Sequence, residues 1–134
     1  MSKKNKDVIR EWLDRANRQD GDALAELYHD DAVYTSPKGV VTGKKAIHSA
    51  FLEIFDRTPD LHTATVTLVG DGDQVALEMI ATGKTVKPHP NIPGSKPGLV
   101  LENHGVHWFG IRDGKISKDR AYFDLESMFL PPKT

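Results

Sequence analysis

The apolar positions fall into two regimes along the chain. From Lys6 to Asn17, Val8, Ile9, Trp12, Leu13 and Ala16 recur at steps of three and four, which puts one apolar stripe on an otherwise charged helix. The Asn17–Gly21 stretch stops that helix, and Asp20 or Asp22 can cap a second, short one by accepting the free N–H groups of its first turn. Leu24, Leu27 and Tyr28 supply its inner face, and it is expected to end near His29–Asp31. Ala32–Ser36, a Pro37–Gly39 turn and Val40–Val41 read as a small hairpin. Thr42–Gly43 then opens a third helix with Ala46, Ile47, Ala50, Phe51 and Ile54 on one side. It must end before Pro59, because proline disfavours helical geometry in the residue ahead of it.

From His62 the period drops to two. Ala64, Val66 and Leu68 alternate with threonines, Gly70–Asp73 makes a turn, and Gln74–Val86, Leu99–Arg112 and Ile116–Asp124 are expected as further strands. Asp113-Gly114 is a hairpin signal between the last two. Connections this short suit an antiparallel meander. Lys87–Gly98 holds four prolines and two glycines, a composition that a central strand cannot carry, so it is expected to be a rigid, exposed loop and a candidate pocket rim. No internal repeat or long linker interrupts the chain, and residues 1–134 are expected to form one α+β domain. Three N-terminal helices would pack in and on a strongly curved antiparallel sheet.

Charge and composition narrow the partners. The 18 basic and 19 acidic side chains are interspersed from end to end, giving a net charge of -1 and no basic stripe for nucleic acid. Cysteine is absent, which excludes disulfides, thiolate chemistry and Cys-based zinc sites. The start is basic, but Asp7, Arg10, Glu11 and Asp14 break it up before any apolar run develops, and no stretch approaches the roughly 20 apolar residues of a membrane span. A cytoplasmic protein without membrane or nucleic-acid partners is expected.

Four short segments carry a resemblance: Asp30–Tyr34 after two helices, Ala81–Gly83, Ile111–Ile116 and Arg120–Asp124. In this order they resemble the nuclear-transport-factor-like (cystatin-like) superfamily, in particular its SnoaL-like polyketide cyclase branch. The resemblance implies a sheet wrapped around a helix to form an apolar cone with an internal pocket, acid–base chemistry without a cofactor or metal, and a homodimer through the outer sheet face. In the ketosteroid isomerases, the general base corresponds to Ser36 and the tyrosine donor to Trp12, neither of which can take over that proton transfer unaided. In limonene-type epoxide hydrolases, the arginine and second aspartate correspond to Glu78 and Ile80. The SnoaL-like cyclases need one aspartate at the end of the last strand, and Asp124 corresponds to it.

Asp124 is therefore the leading candidate acid/base, on a strand face shared with Tyr122 and Arg120, provided that this face lines an apolar pocket able to raise its pKa. On the solvent side it could only pair with Arg120 or cap the turn at Leu125. Glu78, mid-strand between apolar neighbours, is a second candidate catalytic carboxylate or an edge or dimer-face glutamate with a lysine partner. His107 shares parity with Phe109 and Ile111, so it is either a satisfied core histidine or a pocket imidazole that relays protons. His104 falls on the opposite parity, which rules out a strand-borne zinc pair with His107. Tyr34, Trp12 and Tyr122 are candidate substrate contacts, Tyr34 as a hydroxyl donor and Trp12 as a wall of the cone. Asp71-Gly-Asp73 lacks the spaced ligands of a calcium loop and reads as a turn. The function expected is an acid–base cyclase, isomerase or hydrolase for a small apolar oxygenated substrate such as a polyketide, terpenoid or steroid. The alternative is a ligand-binding or dimerisation module of the same fold.

Overall fold

In the computed structural model, which describes residues 2–89, 92 and 95–130, three helices pack against one six-stranded sheet, with the first two strands lying between the second and third helices. Helix α1 (Ser2–Asn17) carries the predicted stripe, with Ile9, Trp12 and Ala16 buried, and i,i+4 pairs such as Arg15–Glu11 on its outer side. Asp20 caps α2 (Gly21–Ala25) by accepting the Ala23 N–H at 3.0 Å. This helix is shorter than its apolar residues suggested. Tyr28 already belongs to strand β1 (Tyr28–Ser36), which turns at Pro37–Lys38 into β2 (Gly39–Thr42). Helix α3 (Lys44–Arg57) stops at Thr58, ahead of Pro59. Four long strands follow: β3 (His62–Asp71), β4 (Gln74–Lys84), β5 (Val100–Arg112) and β6 (Lys115–Tyr122).

The strand order is β2-β1-β6-β5-β4-β3. Strands β3 to β6 form the expected antiparallel meander, but β1 lies parallel to β6, with Tyr34 beside Asp119 and Val33 beside Lys118. The sheet is therefore mixed rather than antiparallel throughout. Strand order is set by which edge the N-terminal hairpin docks against, and hydrophobic period carries no record of that.

Burial alternates along β4 and β5, so the inner face holds Val75, Leu77, Met79 and Ala81 from one and Leu101, Asn103, His107 and Phe109 from the other. α1 lies against this face with Trp12 edge-on to Phe109 at 5.3 Å between ring centroids. A second, smaller apolar cluster of Ile92, Leu101 and Met128 joins the proline-rich loop to the C-terminal segment, where Leu101 and Phe129 form an isolated bridge. The outer face is mixed: Ile80, Val106, Trp108 and Tyr122 stand among Glu78, His104 and Arg120. No helix of the described residues is long and apolar enough to cross a membrane.

Candidate active site

Inside the curve of the sheet lies a cavity of about 120 Å³ whose walls are mainly carbon. Trp12 from α1, Phe51 and Phe55 from α3, Met79 from β4 and Leu101 from β5 form most of it. The proline-rich loop contributes Lys87, His89, Ile92 and Ser95 to the wall, so its described residues do form part of the pocket, and Ile92 is buried rather than exposed. Thr85 anchors that loop by accepting the Leu99 N–H and donating its hydroxyl to the Lys96 carbonyl. Three polar side chains that sit among the apolar lining are Tyr34, Asn103 and His107.

Behind His107 runs a buried hydrogen-bonded chain. Its Nδ1 lies 2.7 Å from Oδ1 of Asp119, and the other carboxylate oxygen accepts the Tyr28 hydroxyl at 2.7 Å. The Tyr28 oxygen in turn accepts the indole N–H of Trp12 at 2.9 Å. Register explains the meeting: Asp119 pairs with Phe109 across β5 and β6, which makes His107 its diagonal neighbour on the inner face, while β1 brings Tyr34 alongside. Asp119 is 0% exposed. A carboxylate so deeply desolvated persists as an anion only when charge-assisted hydrogen bonds reach both oxygens, and here they do.

Burial first, and the Asp119 charge second, push the Tyr28 hydroxyl well above the usual phenol range. The same two causes raise Tyr34, against a smaller opposing effect from Ser36. Both phenols therefore remain O–H donors across the physiological range. Because Asp119 is a pure acceptor, it fixes the proton of His107 on Nδ1 and leaves Nε2 as the basic nitrogen. Nε2 has no hydrogen-bond partner among the described residues, and no buried side-chain nitrogen or oxygen there lacks one, so this nitrogen is open to the cavity. The ring lies nearly parallel to those of Tyr34 and Phe109, with centroids 6.3 and 5.4 Å away and interplanar angles of 14° and 10°. Among the described residues no group of three or more His, Asp or Glu side chains could hold a metal ion.

Of the residues singled out in the sequence, His107, Tyr34 and Trp12 come together at this cavity. Asp124, Glu78 and Tyr122 do not. Asp124 is exposed beyond the end of β6, where its Oδ1 accepts the Glu126 N–H at 3.0 Å and so caps the turn at Leu125. It therefore lacks the apolar enclosure that an acid–base role at that position calls for. Glu78 is exposed on the outer face and accepts the Thr67 hydroxyl, while Tyr122, at 57% exposure, lies outside with it. His104 is likewise exposed and makes no site with His107.

Strand parity by itself conceals Asp119. Counting in twos from the buried Ile116 points Lys118, Arg120, Tyr122 and Asp124 inward, but a bulge breaks the β5–β6 register between Gly110 and Ile111, where Ile111 faces Ile116 and Gly110 faces Lys118. The extra residue, Ser117, inverts the parity, and Asp119, Ala121 and Phe123 point inward instead.

The model of the SnoaL-like domain matches residues 9–118, most of the chain, and ends one residue short of Asp119. The chain belongs to the SnoaL-like family. Solved structures agree on the fold. A candidate SnoaL-like polyketide cyclase from Jannaschia sp. CCS1 superposes with a TM-score of 0.84 at 18% identity, covering 98% of this chain and 96% of that one. AclR, a candidate hydroxylase from Streptomyces galilaeus, gives 0.79 at 18% identity with 93% and 92% covered. An LEH-like epoxide hydrolase of M. tuberculosis gives 0.77 at 18% identity with 95% and 87% covered. At such identity the likeness speaks for the SnoaL-like fold alone. A comparison with curated proteins finds no match.

Proposed function

We propose that this SnoaL-like protein is an acid–base enzyme for a small, largely apolar, oxygenated substrate, with His107 as the base, Asp119 as its orienting carboxylate and Tyr34 as a hydrogen-bond donor to the substrate oxygen. The observation that carries the reading is the His107 ring itself: Nδ1 is tied to a buried carboxylate and Nε2 is unpaired on an apolar cavity wall. An imidazole so arranged takes a proton through Nε2 from a carbon beside a carbonyl, or from water. The electron pair left behind moves onto the carbonyl oxygen, where the Tyr34 O–H can meet the developing charge. The imidazolium is stabilised by Asp119 at 2.7 Å and then returns its proton to the product, so no co-reactant is consumed. Cyclisation and isomerisation share this proton abstraction, and water addition uses the same base on a different donor.

A panel of polyketides, ketosteroids and epoxides assayed with the wild type, His107→Gln and Asp119→Asn tests the reading. The expected outcome is a loss of about 10³-fold or more in kcat for either variant with little change in ligand affinity. Undiminished turnover by His107→Gln removes His107 from the mechanism. Ligand binding by the wild type without any turnover across the panel would favour the binding-module alternative.

We also propose that a second copy of the chain covers the outer sheet face. Val106 lies between Glu78 and Tyr122 there, and Trp108 between Ala76 and Arg120. Apolar side chains flanked by both signs of charge let one patch face itself about a two-fold axis.

A further inference from the structure

The cavity has a second polar feature, at its rim, that the acid–base chemistry does not use. Lys38, from the turn between β1 and β2, and Arg57, from the last turn of α3, both line the apolar space beside His89 of the proline-rich loop. The Arg57 side chain is only 14% exposed, and its anionic contact among the described residues is a loose 3.5 Å approach by Glu53, itself 69% exposed. The Lys38 ammonium has neither an ion pair nor a side-chain hydrogen bond among the described residues, and it is not sealed off. Lys87 differs, since Asp56 neutralises it at 2.6 Å.

Two shielded cations with one loosely held carboxylate leave a single excess positive charge at this end of the cavity. Its effect reaches the neighbouring groups. Burial, then the Arg57 charge, lowers the Lys38 ammonium to about 8 against the opposing pull of Glu53. Burial, then Lys38 and Arg57, lowers the His89 imidazole to about 4. Like charges held together out of water raise each other's free energy, and an anion seated between them relieves both.

We propose that the cavity takes a small apolar carboxylate, with its carboxylate group against Lys38 and Arg57 and its carbon skeleton directed toward His107. A monoanion matches the single excess charge. Between the rim and the base runs an aromatic series, Phe55–Phe51–Tyr34–His107, with successive centroids 6.3, 5.9 and 6.3 Å apart. This series gives the skeleton an apolar path, and it leaves the oxygenated far end to meet Tyr34 and His107. That last assignment rests on the acid–base reading above; recognition of the carboxylate at the rim does not.

Calorimetric titration of the full chain with 3-phenylpropanoate, its primary amide and its methyl ester tests the proposal, because the three share a skeleton and differ in charge. The acid is expected to bind about tenfold tighter than the amide at neutral pH and low salt. Lys38→Met should reduce that preference to about twofold or less, and Lys38→Arg should restore it. In the free protein Lys38 is charged below about 8 and neutral above, so the preference should fall as pH rises through that region. The bound anion should move the fall upward. Arg57, Glu53, His89 and the Lys87–Asp56 pair also face this end of the cavity, and loss of the fall in Lys38→Met assigns it to Lys38. An amide that binds as well as the acid, a preference that survives Lys38→Met, or no binding of any of the three up to their solubility overturns the proposal. His107→Gln separates the two readings: it should abolish turnover and keep the acid preference. A wild type that turns over neutral substrates yet shows no acid preference leaves the acid–base reading standing and removes this one.

Discussion

Asp119 works only through the company it keeps. Its two oxygens are divided between the Tyr28 hydroxyl and the His107 imidazole, and the division gives each partner a distinct contribution. Tyr28→Phe would leave one carboxylate oxygen bare at a fully buried position, at a cost of about 1.5–3 kcal/mol measured by urea denaturation. The effect on kcat should be much smaller than that of Asp119→Asn, because Nδ1 keeps its acceptor and His107 its tautomer. Equal losses of activity in the two variants would mean that Tyr28 positions the base as strongly as Asp119 does. Trp12, which stands where the ketosteroid isomerases have a tyrosine donor, gives its N–H to Tyr28 and presents its ring to the cavity as a wall.

At the level of elements, most of the architecture was written in the periodicity. Helical spacing in α1 and α3, the Asp20 cap, the Asp113-Gly114 turn with φ values of 52° and 77°, and alternation through β4 and β5 are local properties, set by residues within a few positions of one another. The parallel seating of β1 on β6 and the bulge at Ser117 are not local. Each depends on what lies across the sheet, and together they decide which residues surround His107. Gly105 is a related device. A Cβ there would stand 2.8 Å from the Tyr122 carbonyl oxygen and 3.1 Å from the Phe123 Cβ, so its bareness lets the chain cross the inner face of β5 as it leaves β6. That crossing puts Phe123 into the cavity wall and Asp124 outside. Gly105→Val should therefore destabilise the protein by about 1–3 kcal/mol in chemical denaturation and weaken ligand binding even where folding persists. Unchanged stability would show that the end of β6 yields without strain.

On the scale of the whole molecule, the sheet separates an enclosed cavity from an outer face that carries exposed apolar side chains. If the outer face pairs with a second copy, sedimentation should give a dimer, and Trp108→Glu, which places a charge in the middle of that patch, should give a monomer with the fold retained. A monomeric wild type at working concentrations would refute the pairing. The protein's only two tryptophans stand on opposite sides of this partition, Trp12 at 3% exposure inside and Trp108 at 40% outside. The consequence is optical. An indole shielded from water emits to the blue of a hydrated one, so the emission band contains one colour from the interior and another from the exterior. The inner ring lies 5.0 Å from the His107 imidazole, close enough for the protonated form to quench it and the neutral form to spare it. Steady-state light from an unlabelled sample thus carries the state of the His107 ring in its blue edge and the hydration of the outer face in its red one.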